Sequence, residues 1–198
     1  PRLGAADYRL AYNSSSLKRS VYSFCMCPGG VVVAAASEEN RLVTNGMSYH
    51  ARDKENANSA IVVSVAPQDF GQGSPLRGME FQRQYEALAY STAGGGYRAP
   101  VQLLGDFLRD RRSTSIRSVK PSYEPGYELR ELKNCLPQYV TEALKEGFMD
   151  FDKKIKGFAD NDVVLTGIET RTSAPLRILR NEGLESIAVE GLYPSGEG

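Results

Sequence analysis

The chain has 198 residues, 41% of them hydrophobic and 24% charged, with 24 basic side chains balancing 24 acidic ones. That balance leaves no global basic field to hold nucleic acid or an anionic membrane, and the composition is that of a folded rather than a disordered chain. No apolar run approaches the ~20 residues of a membrane span, and three cysteines are too few for a disulfide framework, so a cytoplasmic module is expected.

Residues 13–20, NSSSLKRS, read as an exposed loop. The runs SVYSFCM (20–26) and VVVAAAS (31–37) are β-prone, and Cys27-Pro28-Gly29-Gly30 between them has tight-turn composition. RLVTNGM (41–47) and SAIVVSV (59–65) add two further strands, giving a predicted antiparallel meander. The pattern then becomes helical. Phe81, Tyr85, Leu88 and Ala89 share one helical face, AGGGYRAP (93–100) stops that helix, and VQLLGDFLRD (101–110) resumes helical spacing. After an aperiodic loop with Pro121 and Pro125, Val140, Leu144, Gly147, Phe151 and Ile155 form the stripe of the longest predicted helix. Pro137 lies in its first turn, and Gly157 ends it. DVVLTGIET (162–170), PLRILR (175–180) and SIAVEGLY (186–193) return to strand. Strands about 20–65, helices about 78–157 and strands about 162–190 give an α+β fold rather than a βαβ wind.

The chemistry-bearing residues are sparse. Cys25 and Cys27, spaced i and i+2 on a strand, are expected to share a face. They read as a redox pair, as soft-metal ligands, or as small packing residues. Packing is favoured, because the remaining donors, Cys135 and His50, do not complete a zinc set, and no metal is expected. His50 sits in a polar loop with no nucleophile near it in sequence, and reads as solvated. In TGIETRTSAPLRILR, Glu169, Arg171 and Arg177 interrupt a β-apolar run. Arg171 beside hydroxyl residues would suit a phosphate or carboxylate.

Five stretches together carry a family resemblance: FCMCPGGVVVAAASEENRLVTNGMS (24–48), ANSAIVVSV (57–65), RSVKPSY (117–123), VLTGIETRTSAPLRILR (164–180) and GLYPSGEG (191–198). In combination the chain resembles a family of bacterial FAD-dependent dehydrogenases, whose cofactor domain is assembled from two separated sequence regions. The resemblance implies that residues 1–190 are a substrate-side cap domain inserted between those regions, and that 191–198 begin the second one. It also implies FAD as cofactor in the full-length protein, not bound to this piece alone. The implied partners are the FAD-binding domain of the same polypeptide, NAD(P)H and a small-molecule substrate. Gly196, Glu197 and Gly198 match the start of the second cofactor motif. Pro28, Gly29, Gly30 and Thr170 match segments facing the flavin ring, with Cys25, Cys27, Arg171 and Arg177 as candidate catalytic residues. The Pro28–Gly30 turn and the Arg171–Arg177 segment are expected to converge on one concave surface. A non-catalytic interaction or ligand-binding module is the alternative.

Overall fold

A computed structural model describes residues 10–196. Its first half is an antiparallel sheet organised by one long strand. Strand β1 (Leu10–Ser14) pairs with the start of β2 (Arg19–Ala34), and β3 (Thr44–Ser48) pairs with its end. Strand β4 (Asn56–Val63) pairs with β2 from Val21 to Gly30. Val21 and Gly30 each have partners on both sides, so β1 and β3 lie end to end along one edge of β2 and β4 along the other.

The predicted turn at 27–30 is therefore not a turn. The chain stays extended through Cys27-Pro28-Gly29-Gly30 and absorbs the irregularity as register shifts at Phe24/Cys27 and Cys27/Gly30. A bulge tolerates both a proline and left-handed residues, which is why turn-like composition appears inside a strand. Cys25 (φ +53°) and Gly29 (φ +52°) are the left-handed positions.

A single-turn helix α1 (Pro67–Phe70) and a 16-residue helix α2 (Arg77–Thr92) follow. Residues 101–103, expected as the start of a helix, instead belong to β5 (Ala99–Leu103), which runs into α3 (Leu104–Leu108). All five residues of β5 are buried, so the strand shows no polar alternation, and its apolar run is indistinguishable from a buried helix by period. β5 is the centre of a second sheet, parallel to β6 (Tyr127–Leu129) and antiparallel to β7 (Val164–Thr166). The mixture of helices with one antiparallel and one mixed sheet is α+β.

Helix α4 (Gln138–Lys154) packs on β1, β2 and β4. It buries Leu144, Gly147 and Phe151 of its predicted stripe together with Phe148, whereas Ile155 is exposed. Asp152 accepts from the backbone N–H groups of Gly157 and Ala159, and Gly157 takes the left-handed conformation expected of a helix stop. The strands expected at 175–180 and 186–193 reduce to one bridge between Arg180 and Ser186. Their alternating residues have no neighbouring strand to pair with, and Ile178, Leu179, Ile187 and Val189 face outward. Among the described residues no helix is long and apolar enough to cross a membrane.

The tightest junction between α4 and the first sheet is Gly147 on Val21. A Cβ at 147 would lie 2.7 Å from Val21 Cγ1 and 3.0 Å from its Cβ. Val21 is fully buried in the central strand and stiff at χ1, so it cannot yield cheaply. Gly147→Ala is expected to destabilise the fold by about 1–2 kcal/mol in urea unfolding, the overpacking outweighing the gain in helix propensity.

Candidate functional site

A cavity of ≈ 850 Å³ lies between the first sheet and the helices. Strand β4 forms one wall, α1 and the first half of α2 a second, the first half of α4 a third, and residues 163–170 and 172–175 the fourth. Its volume falls in the range of small-molecule sites, and its lining is mostly apolar. Phe70, Phe81 and Tyr85 stack in tilted and edge-on pairs along one side, with ring centroids 6.1 and 4.9 Å apart. Among the described residues the lining holds one carboxylate side chain, Glu169, and no lysine, arginine or histidine.

Glu169 is half-buried, and Thr172 Oγ1 donates to its Oε1 at 3.5 Å. Burial pushes its carboxyl above the usual carboxylate range, with only the Thr172 bond opposing. Asn58, also on the wall, packs its amide against two glycines: a Cβ at Gly46 would fall 2.0 Å from Asn58 Oδ1, and one at Gly30 2.9 Å from Nδ2. Both amide atoms are buried, and neither has a hydrogen-bond partner among the described residues.

The segment that carries Glu169 is held by a neighbour the sequence reading did not single out. Glu86 on α2 is fully buried. Arg171 forks onto it, Nε to Oε1 and Nη2 to Oε2, each at 2.9 Å, and Thr170 Oγ1 donates to Oε1 at 2.7 Å. Arg171 Nη1 also donates to Ser37 at 2.5 Å, and Glu38 lies 3.6 Å from Nη2. The hydrogen bond and charge of Glu86 raise the Arg171 pKa further. Gln82 donates to the Thr170 carbonyl, so α2 grips the segment twice.

Of the chemistry-bearing residues singled out in the sequence, the cavity collects Glu169 and Thr170. Arg171 turns to Glu86 and Ser37. Arg177 is exposed and has no ion-pair partner among the described residues. Around Pro28-Gly29-Gly30 the space is filled by the chain itself: a Cβ at Gly29 would fall 2.0 Å from the Arg52 carbonyl oxygen, and one at Gly30 2.3 Å from that of Met47. Cys25 and Cys27 differ in burial. The left-handed Cys25 is exposed, while Cys27 is buried and donates to the Cys25 carbonyl at 3.3 Å. Burial raises the Cys27 thiol pKa, and the charges of Cys25 and Glu169 add to this. Gly196 is left-handed (φ +99°) with open space around it; Glu197 and Gly198 lie outside the described residues.

Two outcomes follow from this geometry. Removing the guanidinium leaves a buried, uncompensated carboxylate, so Arg171→Ala is expected to cost about 3 kcal/mol in denaturant midpoint, part of it restored by adding Glu86→Gln. Glu169 gives the opposite sign of pH dependence to a paired carboxylate. Its folded pKa is raised, so the stability it contributes is complete below the unfolded value and is lost as pH rises toward the folded one. Glu169→Gln should therefore gain on the parent chain as melting is followed from acidic to neutral pH.

Residues 1–172 match the family described as FAD-dependent protein, C-terminal domain-like. The chain is also 71% identical over all 198 residues to an uncharacterized protein of Clostridium beijerinckii, of which it spans 37% of the length. With most of its length matched, the chain belongs to the FAD-dependent protein, C-terminal domain-like family.

Proposed function

We propose that this chain is the substrate-side domain of a FAD-dependent oxidoreductase, covering the flavin and forming the walls of the substrate cavity. The carrying observation is the cavity's chemistry: mostly apolar, aromatic on one side, and, among the described residues, free of lysine, arginine and histidine. Such walls fit a flavin ring face or an apolar substrate. They do not fit the diphosphate of FAD, which calls for backbone donors at a helix N-terminus or for cationic side chains. In this reading the phosphate-binding residues belong to the remainder of the polypeptide, in keeping with the share of the relative's length that the chain spans.

A bound flavin supplies the hydride chemistry. The chain's own residues exclude water and set the shape of the cavity. Thr170, fixed by Glu86 and Gln82, would border the ring, and the amide of Asn58, without a partner among the described residues, is a further polar group of the wall. The exposed apolar residues between Ile178 and Tyr193 are the natural surface for the cofactor-binding part to cover. A nicotinamide nucleotide as electron donor or acceptor belongs to the same proposal.

The reading is tested by dividing the cofactor's binding between the two parts. The intact polypeptide is expected to retain flavin absorbance through gel filtration, whereas calorimetric titration of residues 1–198 with FAD should give no measurable heat of binding. Micromolar or tighter binding to 1–198 alone, or an intact protein that takes up no flavin, would overturn it.

A further inference from the structure

We infer that the cavity takes an apolar molecule carrying a basic nitrogen, whose ammonium pairs with Glu169. The inference deepens the proposed function and rests on it for the statement that a substrate enters here.

Three observations converge. Among the described residues Glu169 is the one acidic or basic side chain in the lining, and no cation pairs with it. Its one hydrogen bond, from Thr172, is long at 3.5 Å. Elsewhere the chain pairs its buried carboxylates closely. Glu86 has Arg171, and Asp106 has Arg111 at 2.6 Å and Ser113 at 2.7 Å. A half-buried carboxylate left with so little needs either a proton or an incoming cation, and an ammonium supplies both charge and hydrogen bonds.

The surrounding walls specify the remainder of the ligand. Phe70, Phe81 and Tyr85 offer an aromatic flank that accepts an apolar body and attracts a cation at its ring faces. Among the described residues the lining has no lysine, arginine or histidine, so a carboxylate or phosphate finds no cationic partner there, and the charge of Glu169 repels both. Discrimination against anions is therefore built into the same group that attracts amines. Glu169 is also fixed in place, because Thr170 and Arg171, next in sequence, are fastened to Glu86.

Equilibrium dialysis of the intact protein against benzylamine, benzyl alcohol and benzoate isolates the charge, since the three share one ring. Benzylamine should bind tightest, by roughly tenfold or more over the alcohol. Its affinity should fall as pH is lowered and Glu169 takes up its proton. Benzoate should bind weakest. Glu169→Gln should abolish the preference for benzylamine and leave benzyl alcohol unchanged. If benzyl alcohol or benzoate matches benzylamine, or if the preference survives Glu169→Gln, the inference is wrong. Should that variant fail to fold, the pH profile of the unaltered protein decides, because a flat profile also overturns it. Flavin absorbance of the same samples keeps the two readings separate: protein without flavin counts against the proposed function, while dialysis still decides the amine.

Discussion

The arrangement around the cavity depends on a single buried carboxylate. Glu86 has no solvent exposure, and it stands where three separate parts of the chain meet. Its side chain accepts from Thr170 and Arg171 beyond β7, Arg171 reaches on to Ser37 beyond β2, and the Glu86 backbone carbonyl accepts from Leu42. A hydrogen bond from the Thr44 amide to the Ile168 carbonyl closes the circuit. A charge removed from water is tolerable only when it is paired and hydrogen-bonded, so the junction ties these elements to one another. The fork geometry of arginine matters here, since a lysine would offer no bidentate match.

From this junction the distribution of charge becomes intelligible. Arginines that could have pointed into the cavity are held at its borders. Arg171 is on Glu86, Arg83 and Arg41 reach Glu38, and Arg19 is bound to Asp69 on α1 while stacking over Tyr139. The result is a large apolar space surrounded by neutralised ion pairs. Charge beside apolar walls is screened less than charge at the open surface. The lone carboxylate at 169 thereby has more influence than its modest surroundings suggest.

The α+β order and the long helix were legible because they rest on local periodicity, with Leu144, Gly147 and Phe151 at helical spacing and Gly157 past the end. What escaped notice depends on contacts far apart in sequence. The bulge at Cys27–Gly30 has the composition of a turn, and only pairing with β4 shows that the strand continues. Arg171 was visible as an anomaly in an apolar run, but its partner is 85 residues away on α2. Glu86 gave a faint signal, lying one residue from Tyr85 and three from Ala89 and so beside the buried stripe. The cavity itself was not legible, because its walls come from elements that no sequence pattern joins. Glu169 stood out only as one charge among several.

The bulge in β2 also sorts the three cysteines by reactivity. Turning Cys25 into the left-handed region carries its sulfur outward, while Cys27 and Cys135 are buried. Burial pushes the Cys135 thiol up to about 12, and it raises that of Cys27 as well, so neither readily offers the thiolate that alkylating reagents attack. The folded chain thus presents one thiol handle out of three, placed on the long central strand. A fluorophore or spin label attached there would report on that strand without any cysteine having to be engineered in or removed.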